Sequence, residues 1–165
     1  TCGSLQDEIC PGEFVVMDQF IDFTKGMHGS VFDTYKPGEV RYIPMAEPFS
    51  EDLRDHLVES AIVQGFTLHT KGTVLTIEGP RFSTRAESNL YRTWKADVIN
   101  MTTAPEVIAA NELSIPYAVI AVCTEYDSWR TNYTASGPSE VMEIITGNKD
   151  KLINVLLTAI KKMKG

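Results

Sequence analysis

The stretch from residue 72 to residue 105 constrains the fold most, because two short apolar runs alternate there with two helical patterns. Residues 73–77 and 97–101 are rich in β-branched and apolar side chains and predict strands. Residues 81–94 predict a helix, and a second helix is predicted to begin near residue 103. The order strand, helix, strand, helix is typical of α/β proteins, in which ligands bind where strands end.

Two details of these helices can be checked against the structure. Ala86, Leu90 and Trp94 recur at helical spacing, so we expect them on the inward face of the first helix. Thr103 followed by Glu106 resembles a capping box, so we expect Thr103 to cap the second helix.

The flanking sequence supports a sheet covered by helices. Ser50 is predicted to cap a helix that runs to about Gln64 and ends at Gly65. Residues 115–124 are nearly all apolar, which is typical of a strand buried on both faces, and residues 141–163 predict a long helix. Residues 14–17 predict a strand, residues 1–5 a turn of small residues and residues 23–41 a long surface loop.

Composition excludes several classes of protein. The 165 residues carry a net charge of −7, which argues against a nucleic-acid surface, and no apolar run is long enough to suggest a membrane span. The three cysteines match no metal spacing or disulfide framework, so we expect a reducing compartment such as the cytoplasm. The chain starts at Thr1 without a methionine, so we expect the true N-terminus, with any targeting signal, to precede it.

Residues suited to a small polar ligand follow the predicted strands: Glu78, Arg81, Phe82, Met101 and Thr102. Each also has an ordinary structural interpretation, because Phe and Met pack in cores and Thr caps helices. Glu125 and Asp127 follow the longest apolar run, and an isolated pair of this kind is most often a solvated turn.

A set of ordered motifs favours the ligand-binding interpretation. They are Thr1-Cys2-Gly3-Ser4-Leu5, Asp18-Gln19-Phe20-Ile21-Asp22, the segment 43–49 (IPMAEPF), the segment 76–83 (TIEGPRFS), Arg85-Ala86-Glu87-Ser88, the segment 97–102 (DVINMT) and Tyr126-Asp127-Ser128-Trp129. Together they resemble the purine nucleoside phosphorylases, and within that family the branch that acts on 5′-methylthioadenosine.

The resemblance implies a fold and a reaction. The fold is a three-layer α/β domain with a mostly parallel, twisted central sheet flanked by helices. The reaction is phosphorolysis, in which 5′-methylthioadenosine and phosphate give adenine and 5-methylthioribose 1-phosphate, a pentosyl transfer in purine and methionine salvage. The family uses no metal or other cofactor beyond phosphate as co-substrate, it is typically a homotrimer, and its compartment is the cytoplasm, with the nucleus as a second one.

The resemblance also assigns roles to residues. Phe82 would pack against the purine and Met101 against the ribose, while Thr102 and the backbone at Thr1 would contact phosphate.

The remaining roles concern the base and the 5′ substituent. Asp127 would accept a hydrogen bond from the purine's exocyclic amine, and Glu125 lies where adenine-specific members carry an aspartate. Val141 and Met142 would line the pocket for the 5′ substituent. Tyr42 lies where the family offers a histidine from the neighbouring subunit.

The family's glycine-rich phosphate loop and arginine–histidine pair precede the position of Thr1. We therefore interpret residues 1–165 as the C-terminal part of one nucleoside phosphorylase domain, whose N-terminal strands are missing from this chain or carried by a separate one. Three alternatives stay open: a phosphorylase that prefers inosine or guanosine, a non-catalytic nucleoside-binding subunit, and a nucleosidase that uses water.

Overall fold

The computed structural model describes residues 1–26, 30–131, 133 and 137–163, and this part of the chain forms one seven-stranded sheet flanked by four helices. The strands are β1 (Cys2–Ser4), β2 (Phe14–Val16), β3 (Gln19–Phe23), β4 (Leu68–His69), β5 (Thr73–Ile77), β6 (Val98–Asn100) and β7 (Ile120–Tyr126). The helices are α1 (Glu51–Val63), α2 (Arg85–Thr93), α3 (Thr103–Glu112) and α4 (Pro138–Met163).

The sheet is mixed but mostly parallel, in the order β3-β5-β6-β1-β7-β2-β4. β1 runs antiparallel to β6 and β2 runs antiparallel to β7, whereas the other neighbouring strands are parallel. The first strand of the chain therefore lies in the middle of the sheet, beside the last one. The α/β class and the mostly parallel sheet predicted from the sequence are confirmed.

Apolar side chains cover both faces of the central strands, which gives the three-layer arrangement. Val74 and Val98 belong to a cluster that includes Val107 of α3. Leu75 belongs to a second cluster, with Tyr91 of α2. A third cluster joins α1 and α4 through Leu57, Ala61, Val155 and Ala159. Within the described residues, no helix is long and apolar enough to span a bilayer.

Several local predictions are confirmed. The Ser50 hydroxyl accepts the Leu53 N–H at the start of α1, and Gly65 adopts a φ of +73° just after that helix ends. β5 has the predicted bounds. Of the loop predicted at residues 23–41, Phe23 belongs to β3, residues 27–29 lie outside the described residues, and the rest contains no helix or strand. The strand predicted at residues 115–124 begins and ends later in the sequence than expected, as β7 at Ile120–Tyr126.

Other predictions are wrong. Residues 2–4 form the central strand β1 instead of a turn, because pairing with β6 and β7 satisfies their backbone. α2 begins at Arg85, and its inward side chains are Ser88 and Tyr91, whereas Leu90 and Trp94 are exposed. The N-cap of α3 is Thr102 instead of Thr103, and Thr102 makes no side-chain capping bond within the described residues.

Candidate active site

A cavity of about 500 Å³ lies over β1, between the ends of β5 and β6 on one side and the end of β7 on the other. Gly3 forms part of its floor, and a side chain there would come within 3.2 Å of the Ile99 Cγ2 atom and 3.7 Å of the Asp127 Cβ atom. Because Gly3 has no side chain, Ile99 of β6 and Asp127 after β7 can approach the backbone of β1 from opposite sides of the cavity.

Eight of the nine residues to which the sequence assigns a role border this cavity: Thr1, Phe82, Met101, Thr102, Glu125, Asp127, Val141 and Met142. They come from the start of β1, the turn after β5, the turn after β6, the end of β7 and the first turn of α4. The ninth, Tyr42, does not border the cavity and is 90% exposed.

The carboxylate of Asp127 is fixed by its neighbours. Its Oδ2 atom accepts a short hydrogen bond from the Ser83 hydroxyl, and its backbone N–H donates to the Ser4 carbonyl at 2.8 Å. The Ser128 hydroxyl donates to the Ser83 carbonyl at 2.7 Å, so the residue that binds the carboxylate is itself held in place. Sequence reasoning missed Ser83 as a site residue, although it directly follows Phe82 in the quoted motif.

The segment after Asp127 is anchored to the sheet and to α2. The Trp129 indole N–H donates to the Ser4 carbonyl at 2.8 Å, and the Trp129 backbone N–H donates to the buried Ser88 hydroxyl at 3.1 Å. The guanidinium of Arg92 lies 3.7 Å from the centre of the Trp129 ring. These contacts explain why α2 turns a serine inward, and they fix the end of β7 beside the cavity.

Phe82 presents an open aromatic wall, because its side chain is 62% exposed and borders the cavity. The Arg81 guanidinium donates to the Phe82 carbonyl at 3.0 Å and forms two bonds of 2.7 Å to Glu87. Glu87 also closes the capping box of α2 with Thr84. The hydrogen bond from Arg81, followed by that from the Thr84 N–H, lowers the pKa of Glu87 from 4.5 to about 2.

At the other end of the cavity, the turn from β6 into α3 carries Met101 and Thr102. Asn100 Oδ1 accepts bonds from the Thr76 hydroxyl at 3.1 Å and from the Thr102 and Thr103 N–H groups at 3.4 Å. The Thr102 side chain is exposed at the cavity, so its hydroxyl can meet a ligand. A helix N-terminus carries partial positive charge and favours an anion at this end.

The wall between these two ends is apolar. Ile77, Ile99 and Met101 line it from the sheet side, and Val141 and Met142 line it from the start of α4. Gly79 allows Met101 to pack closely, because a Cβ atom there would lie 2.9 Å from the Met101 sulfur. An apolar wall suits a thioether or a sugar edge better than a charged group.

The thiols beside the cavity are not arranged as nucleophiles. Cys2 borders the cavity, and Cys123 is fully buried on the neighbouring strand. Contact with Cys2 and burial raise the pKa of Cys123, which keeps this thiol protonated at neutral pH. Among the described residues, no group of three or more His, Cys, Asp or Glu side chains is placed to hold a metal ion.

Comparison with known proteins gives a consistent result. The model of the phosphorylase superfamily matches residues 1–161. The chain is 48% identical over 165 residues to the S-methyl-5′-thioadenosine phosphorylase of Danio rerio, covering 98% of this chain and 59% of that protein. It is 45% identical over 162 residues to the phosphorylase of the same name from Ciona intestinalis, covering 97% of this chain and 58% of the relative.

Solved structures agree with the sequence relatives. Methylthioadenosine phosphorylase from Schistosoma mansoni in complex with adenine superposes with a TM-score of 0.91 at 33% identity, over 99% of this chain and 63% of that one. A mutant of the Schistosoma enzyme in complex with methylthioadenosine gives a TM-score of 0.88 at 34% identity, over 99% of this chain and 62% of that one. The chain thus spans about three fifths of the length of the relatives it matches.

Proposed function

The chain belongs to the phosphorylase superfamily, and from that membership we propose that the protein cleaves 5′-methylthioadenosine with inorganic phosphate. The products are adenine and 5-methylthioribose 1-phosphate, which makes the protein a pentosyltransferase of purine and methionine salvage. One observation carries the proposal: Phe82, Met101, Thr102 and Asp127, from three distant parts of the sequence, border one cavity. Relatives over 40% identical that carry the name of this activity support it.

The chemical problem is to let a purine leave from C1′ of the sugar. The departing base develops negative charge, and a proton or hydrogen bond donated to its N7 atom relieves that charge in the transition state. Asp127, held by Ser83, accepts a hydrogen bond from the exocyclic amine in this proposal, and Glu125 borders the same cavity. Phe82 packs against the base, which fixes the plane of the base while the bond breaks.

Phosphate completes the reaction at the opposite end of the cavity. The Thr102 hydroxyl and the backbone at Thr1 contact it in the proposal, and the N-terminus of α3 favours its charge. Met101 packs against the ribose between base and phosphate. The proposal needs no metal or other cofactor, and that part stays a prediction, as do the cytoplasm and nucleus as compartments.

The 5′ substituent and the assembly are linked in this proposal. Val141 and Met142 offer an apolar wall that suits a methylthio group. Tyr42 is 90% exposed in a segment without helix or strand, and Val40 beside it is 66% exposed. These side chains suit contact with a second copy, so we propose a homotrimer in which Tyr42 reaches the neighbouring subunit's cavity.

Glu125 supports a second candidate function, that of a phosphorylase that prefers 6-oxopurine nucleosides such as inosine. Its side chain is one methylene longer than the aspartate expected beside an adenine, and it borders the base end of the cavity. The longer side chain changes which edge of the base the carboxylate can reach, because the donor–acceptor distance of a hydrogen bond varies by only a few tenths of an ångström.

The test compares base release by the full-length protein from methylthioadenosine and from inosine, each with and without phosphate. The proposal predicts adenine release that needs phosphate and exceeds hypoxanthine release. Faster release from inosine would select the second candidate. Release without phosphate would indicate a nucleosidase, and nucleoside binding without release would indicate a non-catalytic subunit.

A further inference from the structure

Asn100 connects three elements at the phosphate end of the cavity. Its Oδ1 atom accepts the Thr76 hydroxyl of β5 and the N–H groups of Thr102 and Thr103 at the start of α3. Its Nδ2 group donates to the Thr103 hydroxyl at 2.6 Å. The Thr76 oxygen in turn accepts the Ala104 N–H at 3.1 Å. One side-chain amide and one buried hydroxyl therefore hold the turn that carries Met101 and Thr102.

These contacts determine what the start of α3 can offer to an anion. The Thr103 and Ala104 N–H groups have protein acceptors, and Pro105 has no N–H group. The bonds from the Thr102 and Thr103 N–H groups to Asn100 are both long, at 3.4 Å, which is weak for a hydrogen bond. Of these two residues, Thr102 is exposed at the cavity and Thr103 is buried, so the Thr102 hydroxyl and its weakly held N–H group are the donors of the turn that remain for a ligand.

The residue type at this position is informative. An aspartate accepts the N–H groups of a helix start at least as well as an asparagine, and its charge is favoured by the helix dipole. Asparagine accepts the same N–H groups with its amide oxygen and adds no negative charge. The side chain that accepts the N–H groups at the start of α3 therefore adds no negative charge there, which suits an anion bound next to it.

We propose that Asn100 is a positioning residue for phosphate. Its amide orients Thr102, and because the amide is neutral, the partial positive charge at the N-terminus of α3 can act on the bound anion. The proposal rests on the proposed function, because it takes phosphate to bind at Thr102. It assigns no contact between Asn100 and the reacting atoms. Its effect should therefore appear in the affinity for phosphate rather than in the affinity for the nucleoside.

The decisive variant is Asn100→Asp. A carboxylate keeps acceptor oxygens for Thr76, Thr102 and Thr103, and the Thr103 hydroxyl can rotate to donate to it, so the melting temperature should not fall. The added negative charge lies close to the bound phosphate, so the dissociation constant of inorganic phosphate should rise about tenfold or more. In turnover, KM for phosphate should rise by a similar factor, while KM for methylthioadenosine changes little.

Two further variants separate positioning from stability. Asn100→Ala removes every contact of the amide, so phosphate binding should weaken and the melting temperature should fall. Asn111→Ala is the matched control at the other end of α3, where the amide donates to the Pro48 and Val107 carbonyls at 2.8 Å. It should lower the melting temperature and leave phosphate binding unchanged.

The measurement is calorimetric titration of the full-length protein and its variants with inorganic phosphate, in parallel with thermal unfolding. Unchanged phosphate binding in Asn100→Asp, or no phosphate binding by the unaltered protein, would overturn the inference. Weakened binding in Asn100→Asp together with no adenine release by the unaltered protein would leave the inference standing and reject the proposed function. Adenine release with normal phosphate affinity in Asn100→Asp would reject the inference alone.

Discussion

At the scale of single residues, the carboxylate of Asp127 is the group that most directly links structure to chemistry. It is held by the Ser83 hydroxyl and by its own N–H bond to the Ser4 carbonyl, so its orientation is set before a ligand arrives. A preorganised acceptor of this kind can orient a base through its exocyclic amine without a reorganisation cost in the transition state.

The first prediction concerns this carboxylate. Asp127→Asn should lower kcat/KM for methylthioadenosine about a hundredfold or more, because the neutral amide is a weaker acceptor for the exocyclic amine and cannot carry a carboxyl proton. Steady-state adenine release with the full-length protein measures the effect. Asp150→Asn, at an exposed position on α4, is the control and should leave kcat/KM unchanged. Near-normal activity of Asp127→Asn would remove Asp127 from the mechanism.

The second prediction concerns the close approach of Gly79 to Met101. Gly79→Ala places a methyl group 2.9 Å from the Met101 sulfur, so the Met101 side chain must move within the cavity that it lines. KM for the nucleoside should rise about fivefold, equivalent to about 1 kcal/mol, the low end of the cost of overpacking. Gly147→Ala, which meets nothing within 4 Å, is the control and should leave KM unchanged. The same KM in both variants would contradict the prediction.

Site residues with simple local signals could be predicted from the sequence, and residues that act through partners could not. Phe82, Met101 and Thr102 follow predicted strands, where ligands are expected. Ser83, Thr76 and Asn100 matter because of contacts with segments 24 or more residues away in sequence, which no local pattern reveals.

At the scale of secondary-structure elements, the start of α2 shows how a helix cap supports the site. Thr84 and Glu87 form a capping box, and Glu87 also binds Arg81, which donates to the Phe82 carbonyl. The cap therefore stabilises the helix and holds the backbone of the aromatic wall at the same time.

The third prediction follows from the lowered pKa of Glu87. Because its pKa falls from 4.5 in the unfolded chain to about 2 in the folded one, its ionised form stabilises the fold fully above pH 4.5. That contribution is lost as the pH falls toward about 2. Glu87→Gln should therefore melt below the unaltered protein at pH 7, and the gap should close as the pH falls below 4.5.

Circular dichroism melting curves between pH 7 and pH 3 provide the measurement for this third prediction. Glu143→Gln, at an exposed position on α4, is the control and should melt like the unaltered protein throughout. A gap for Glu87→Gln that stays constant over the whole range would show that the ion pair with Arg81 is not its source.

Elements with strong local signals were predictable, and elements stabilised by their neighbours were not. The Ser50 cap and Gly65 marked both ends of α1 correctly. The Cys-Gly-Ser strand β1 lacks β propensity, and only its position between β6 and β7 makes it a strand. The inward face of α2 was misjudged because Ser88 is buried to bind the Trp129 N–H, a contact that hydrophobic periodicity cannot show.

At the scale of the whole molecule, the sheet order explains why one cavity collects residues from both ends of the chain. β1 lies between β6 and β7, so Thr1 comes close to Met101 and to Asp127. The sequence predicted the α/β class and the mostly parallel sheet. It could not predict that order, because long-range pairing depends on the folded arrangement of all the strands.

The fourth prediction concerns the assembly. Light scattering of the full-length protein should give the mass of three subunits, as the proposed homotrimer requires. Tyr42 is 90% exposed and lies outside the cavity of its own subunit, so it is available to a neighbour. Tyr42→Ala should raise KM for methylthioadenosine and leave the mass of the assembly unchanged. A monomer with full activity would contradict both the trimer and the role of Tyr42.

The most direct test of the central claim is the fate of phosphate during turnover. Full-length protein is incubated with methylthioadenosine and labelled phosphate, and the amounts of adenine and of labelled sugar phosphate are measured separately in the same samples. Phosphorolysis should give one molecule of 5-methylthioribose 1-phosphate for each adenine, and no adenine when phosphate is left out. Adenine without labelled sugar phosphate, or no adenine in either condition, would contradict it.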